Sequence, residues 1–475
     1  MRQTLLTLIL ILLMRPLFAV DYGLLTGTDF APIAPECVNP NLVQRHPFVV
    51  FGKTVYLAVW MNGSDQPGKV SSDIYCARID PATGQSLDPT GIRICGADYK
   101  QCYPTVAFDG TNFVVVWEDF RSNFDYDLYG ARVTEGGEVL DPDGFPISAQ
   151  RGVNEARPAI AFSGGNYFVT WMDARRYPVY IIMGARITTG GQVLDAAGIE
   201  IDGESQTQIE SYWPFKDAGG KVSPEGTWTP PCGSAWWGGN VVSNAVPEIA
   251  CHGDECIVAY SSVVRNNLQY SPNARLKYCT INPTTGGLVR SPQMVPPHTN
   301  YLQTHYSLID IFVIPSPSGW CINFTSRGGG RGSPPMFSYV KLDTALNREH
   351  YVVKEKKYTS GVAQRRSALA NSGKYFLFAN DYSEVAGASL RNNLNGIVVY
   401  IGDLNDTTMI SSDTGIVIEN TNYNTDNWKA GVWGGDLYYW PALAAGPEGE
   451  CLLVYEKNSG YNNWKIGGRI LKEKE

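Results

Sequence analysis

The chain has 475 residues and a formal net charge of −8, which argues against the concentrated basic surface that a nucleic-acid partner needs. Its 49 glycines and 12% aromatic residues, set against only 18% charged ones, point to short strands and tight turns rather than long helices.

Read from the N-terminus, Arg2 precedes an apolar run from Leu5 to Met14, and Leu17-Phe18-Ala19 closes it on a small residue. This is the layout of a secretory signal peptide over 1–19, in a run too short to span a bilayer. No later stretch reaches the roughly 18 apolar residues of a spanning helix. The expected mature protein, 20–475, is a single exported domain, a monomer at the cell surface, in the periplasm or outside the cell. Ten cysteines in an exported chain predict disulfides. Two local pairs stand out, Cys251 with Cys256 across a tight turn and Cys95 with Cys102 across a loop, while the full connectivity stays open. Cys76 and Cys279 replace Gly130 and Gly184 of other copies, which marks them as packing positions.

A repeat occupies the rest. Pro104-Thr-Val-Ala-Phe-Asp-Gly-Thr-Asn-Phe-Val-Val-Val-Trp117 matches Pro158-Ala-Ile-Ala-Phe-Ser-Gly-Gly-Asn-Tyr-Phe-Val-Thr-Trp171, and both continue through Ala-Arg (Arg132, Arg186) into a Gly-Gly turn. A third copy starts at Pro47 and passes through Trp60 and Arg78. The period of about 55 residues lies in the range of arrays and propellers. Each unit reads as strands a to d: apolar a, apolar b ending on an aromatic, c after a polar loop, and a brief d. Looser copies begin near Pro247, Ser307, Ser367 and Pro441. An aromatic recurs near the end of strand b in each: Trp60, Trp117, Trp171, Tyr260, Phe324, Phe378 and Tyr455. One large ring per unit is best explained by packing between neighbouring sheets. The strand-c arginines Arg78, Arg132, Arg186 and Arg469 are expected to pair with a neighbour's carboxylate.

The last unit stops after strand c, and Leu24-Leu-Thr-Gly-Thr-Asp-Phe-Ala-Pro-Ile33 resembles the strand-d segment Val139–Ile147. An N-terminal strand that completes the last sheet closes a ring and covers its edges. The repeats therefore resemble those of seven-bladed β-propellers of the exported bacterial repeat type. The resemblance implies an all-β fold of seven four-stranded antiparallel blades, the last closed by the N-terminal strand. It also implies that the b–c loops and d–a connections share one face, and it carries over no functional residue.

That face collects the irregular sequence. Two long connections, 204–245 and 420–438, hold Trp213, Trp236, Trp237, Trp428 and Trp433, and the b–c loops hold Arg121, Arg175 and Arg331. Long loops dense in aromatics are functional more often than disordered. Flat rings beside Arg donors suit either a glycan or a protein partner. His298, His305, Tyr306 and Arg327 are the candidates for proton transfer in a polysaccharide lyase, and Glu118, Asp119 and Asp173 for a glycosidase pair. His46 and His252 read as structural. Asp119, Asp125 and Asp127 offer hard oxygen ligands for Ca2+, the one cofactor considered. The absence of GxSxG, P-loop and HExxH patterns moves weight away from hydrolase and nucleotide chemistry. The leading expectation is a non-catalytic exported propeller that binds a glycan or an extracellular protein. A carbohydrate-active enzyme using the same face and a structural envelope component are the alternatives.

Overall fold

The computed structural model describes residues 43–63, 71–176, 179–203, 246–264, 273–294, 307–327, 335–346, 348–354, 363–372, 375–385, 393–403, 416–423, 437–458 and 464–472. All regular elements among them are strands. They form consecutive antiparallel sheets in which each strand pairs with the next in the chain. The first sheet is β1 (Val43–Phe51), β2 (Tyr56–Gly63), β3 (Ser72–Ile79) and β4 (Ile92–Cys95). The second is β5 (Gln101–Phe108), β6 (Asn112–Asp119), β7 (Asp127–Thr134) and β8 (Phe145–Ser148). The third is β9 (Glu155–Ser163), β10 (Asn166–Arg176), β11 (Val179–Thr188) and β12 (Ile199–Asp202). The fourth is β13 (Glu248–His252), β14 (Glu255–Val264), β15 (Asn273–Ile281) and β16 (Leu288–Met294). The fifth is β17 (Ser307–Ser316), β18 (Gly319–Arg327), β19 (Pro335–Asp343) and β20 (Arg348–Lys354). The sixth is β21 (Ala363–Asn371), β22 (Tyr375–Val385), β23 (Asn393–Asp403) and β24 (Ile416–Tyr423). The last holds β25 (Leu437–Ala445), β26 (Cys451–Asn458) and β27 (Trp464–Leu471).

The architecture is a β-propeller. First strands of successive sheets lie side by side in a cycle, β1 against β5, β5 against β9, and onward to β25, which returns to β1. One correction concerns the count: six sheets are complete four-stranded blades where seven were expected, and the last has three strands among the described residues. The segment Leu24–Ile33, expected to complete it, lies outside the described residues, as does 1–19. The ring nevertheless meets itself. Val49, Tyr56, Ala58 and Trp60 of the first sheet share one buried cluster with Ala442, Leu452, Val454 and Ile466 of the last. The Ile466 N–H donates to Gln44 Oε1 across that seam at 2.9 Å.

Packing between sheets supplies the core, because each sheet is apolar on both faces and two faces meet at every seam. The strand-b aromatics are all within 3% of complete burial. Trp117 sits in the cluster joining the first and second sheets, and Trp171 in the one joining the second and third. Cys76 and Cys279 are buried free thiols, as a packing role requires. Cys251 and Cys256 face each other across the β13–β14 ladder and form a disulfide. Cys95 and Cys102, expected as a second local pair, are instead separate buried thiols on β4 and β5.

The strand-c arginines differ from expectation as well. Arg78, Arg132 and Arg186 each form a bidentate pair with an aspartate of their own blade, Asp88, Asp141 and Asp195. The aspartate ends the c–d hairpin, so the pair fixes that turn. Each of these guanidiniums then borders a hairpin glycine of the following blade. A Cβ on Gly137 would come within 3.0 Å of Arg78 Nε, and one on Gly286 equally close to Arg186 Nε. No helix among the described residues is long and apolar enough to cross a membrane.

Candidate functional site

The first strands carry a shared irregularity. Register slips between Arg45 and Phe48 in β1, between Cys102 and Thr105 in β5, and between Ala156 and Ala159 in β9. Proline is the physical cause: it donates no ladder hydrogen bond and tolerates only a bulge or an edge. Pro47, Pro104 and Pro158 occupy these bulges. The residue before each, His46, Tyr103 and Arg157, has positive φ (55°, 51° and 56°). A non-glycine residue held this way costs about 1–3 kcal/mol, and such strain concentrates at ligand-binding positions.

Buried carboxylates hold two of the three bulges. Glu118, the residue after the strand-b aromatic of the second sheet, accepts the Arg157 N–H at 2.8 Å across the seam. Glu456, in the same position of the last sheet, accepts the His46 N–H at 2.7 Å and Arg45 Nε at 2.9 Å. Both are essentially inaccessible. Burial pushes the Glu118 carboxyl upward, opposed by the Arg157 charge and its N–H. One blade thus fixes the backbone of the next.

The three residues then stack. The His46 ring lies 4.1 Å from the Tyr103 ring, nearly parallel at 17°. The Arg157 guanidinium covers the other side of Tyr103 at 3.9 Å. Both Tyr103 faces are therefore occupied, and the stack meets the cavity by its edges, with Arg157 itself buried. This collar lines one cavity on the ring axis, ≈ 120 Å³ in volume, to which all the first strands contribute. Below the collar the walls are apolar, with Phe48, Val49, Ile311, Leu369 and Leu443. Pro47, Pro104, Pro158, Pro247 and Pro441 all line it. Glu248 is the one carboxylate among its described lining residues.

The residues singled out by sequence fall differently. Arg121 binds Asp119 through Nε at 2.9 Å and Nη2 at 2.6 Å, and Arg175 binds Asp173 at 2.8 Å through both. Trp117 and Trp171 donate their indole N–H to the same aspartates. These are buried fastenings of the b–c turn. Asp125 takes Ser122 Oγ and the Gly152 N–H. With Asp119 and Asp125 so occupied, the set Asp119, Asp125 and Asp127 does not fit Ca2+, and no group of three potential ligands among the described residues is arranged for a metal. Arg327 ends β18, opposite Ser307 and Pro335. His298, His305, Tyr306, Arg331, Trp213, Trp236, Trp237, Trp428 and Trp433 lie outside the described residues. The connection expected at 420–438 is shorter, since β24 runs to Tyr423 and β25 starts at Leu437.

His46, read as structural, is part of the collar, and Tyr103 and Arg157 were not singled out at all. A signal was available in the proline that opens five of the seven repeats and the residue preceding it.

No family model matches the chain, and no curated protein matches it. Among solved structures it is similar to a protein of unknown function from Dyadobacter fermentans, at 12% identity and TM-score 0.46, over 92% of this chain and 96% of that one. It is also similar to the phage phi92 endosialidase (10%, TM-score 0.47, 96% and 70%). A third is the α-L-arabinofuranosidase Arb93A of Fusarium graminearum (9%, TM-score 0.44, 80% and 98%). Likeness of this degree carries no argument about activity.

Proposed function

We propose that the chain is an exported, non-catalytic β-propeller that binds a glycan at the collar of its axial cavity. The observation that carries this reading is the His46–Tyr103–Arg157 stack, held in strained backbone on three adjacent blades. Strain and buried carboxylate anchors fix the polar edges before a ligand arrives, which lowers the ordering cost of binding. A hydroxyl-rich sugar matches those edges, and the apolar wall below suits the carbon face of its ring. The cavity's size suits the end of a glycan rather than a run of it.

The Trp-rich connections flank the same place in the chain. Residues 204–245 run directly into Val246 and Pro247, and residues 424–436 end five residues before Pro441, all three of which line the cavity. Trp213, Trp236, Trp237, Trp428 and Trp433 are proposed to extend the contact outward. A glycosidase needs two carboxylates at the reacting bond, and among the described residues the cavity lining holds Glu248 alone.

A glycan array probed with the wild type, Tyr103→Ala and Arg157→Ala tests the reading. Saturable binding to one glycan class, weakened at least about tenfold in both variants, is expected. Release of reducing sugar or unsaturated uronate from the bound glycan, or binding indifferent to both substitutions, would overturn it.

A further inference from the structure

The seam between the second and third sheets holds a feature the collar does not use. Glu155 starts β9 with no exposed surface. Its Oε1 accepts the Ser148 hydroxyl at 2.6 Å, while Oε2 is buried without a hydrogen-bond partner. Its register partner on β10 is Asp173, whose own charge is matched by Arg175. On β7, Asp127 stands opposite Asp119 in the β6–β7 ladder, and its charge acts on Glu155. Asp119 is matched by Arg121, and Asp125 by Ser122 and the Gly152 N–H. The Gln150 amide and, through space, the Arg175 charge also act on Glu155. The two cations in this environment are hydrogen-bonded to Asp119 and Asp173, so they act on Asp127 and Glu155 only through space, and Glu155 Oε2 has no hydrogen-bond partner.

We propose that this seam is a proton-operated clasp: a proton on Glu155 lets it lie against Asp127 and Asp173, and loss of that proton loosens the start of β9 and with it the Arg157 bulge. The mechanical link is short. Glu155 is followed at once by Ala156 and Arg157, the residues at which β9 slips register. An anion at Glu155 pushes on the segment that the Glu118–Arg157 hydrogen bond holds in place.

The working range follows from the surroundings. Burial, then Asp173 and Asp127, raise the Glu155 carboxyl to about 8, against the hydrogen bonds of Ser148 and Gln150. Burial, then Asp125 and Asp119, raise Asp127 to about 7 against Arg121. The clasp is closed in mild acid and opens through slightly alkaline pH. This stands independently of what the collar binds.

Amide hydrogen exchange of the full chain, corrected for intrinsic base catalysis, tests it without any ligand. Protection of the peptide containing Arg157 should fall at least about tenfold between pH 6 and pH 9, while the peptide containing His46, whose N–H is held by Glu456, keeps its protection. Glu155→Gln, which cannot ionise, should abolish the fall, and Asp127→Asn should move it to lower pH by removing a charge that stabilises the bound proton. Equal loss in both peptides, no loss in either, or an unchanged transition in Glu155→Gln would overturn the clasp. Restoration of protection at pH 9 by millimolar Ca2+ would replace it with a cation site.

Discussion

Asp119–Arg121 and Asp173–Arg175 look in sequence like exposed loop charges ready for a ligand, yet each aspartate is fully buried and bonded to its own blade's tryptophan. A buried ion pair contributes little over an apolar substitute, but removing one partner strands the other charge and costs about 3–5 kcal/mol. Asp119→Ala and Asp173→Ala should each lower the urea midpoint accordingly. The exposed Arg176–Glu200 pair has no such leverage, and Arg176→Ala should change stability by less than about 0.5 kcal/mol. Proton linkage adds a second expectation. Glu155 binds its proton more tightly in the folded chain than in the unfolded one. Stability should therefore fall as pH rises from about 4.5 to about 8 and level off above, with a loss of up to about 5 kcal/mol from this group. Denaturant titrations across that range should find a shallower fall in Glu155→Gln. The identity of such residues was legible in the repeat, but not the role. Whether an arginine faces a ligand or its own turn depends on backbone direction after the aromatic, which spacing does not encode.

At the level of strands, the alternation of apolar residues and Gly turns carried most of the information. The strand-b aromatics and the hairpin turns are where the pattern placed them, because both are dictated by seam packing and turn geometry. What the pattern missed is the bulge in the first strand. Its proline was visible as the start of a repeat, but the positive-φ residues His46 and Arg157 are held by tertiary anchors, Glu456 and Glu118, that are distant in sequence. The arginine clamps turned inward for a related reason. Arg78 meets Asp88 within one hairpin, at a separation the chain spans more cheaply than a neighbour's carboxylate. Two glycines separate conformational strain from crowding. Gly110 has φ +93° with open space at its Cβ position, whereas Gly144 has φ +78° and a Cβ there would meet the Trp117 ring at 2.4 Å. Gly110→Ala should cost about 1 kcal/mol and Gly144→Ala about 2–4 kcal/mol, read from denaturant midpoints.

Across the whole molecule, closure is achieved by packing of the first sheet on the last and by the His46 and Arg45 contacts with Glu456. The three-stranded sheet leaves β27 as its outer strand among the described residues, and an unpaired edge invites association. We expect Leu24–Ile33 to pair there. A variant lacking that segment should unfold at lower temperature and form larger species in size-exclusion chromatography, whereas unchanged behaviour in both would place the segment elsewhere. The ring matters for function because it alone brings three residues, each from a different repeat and more than fifty positions from the next, to one axis. A crystal structure of the chain with the best-binding oligosaccharide from the array addresses that point most directly. The sugar terminus is expected at the axial cavity, hydrogen-bonded to Tyr103 and Arg157 and against His46; density on the outer rim, with the collar untouched, would contradict it.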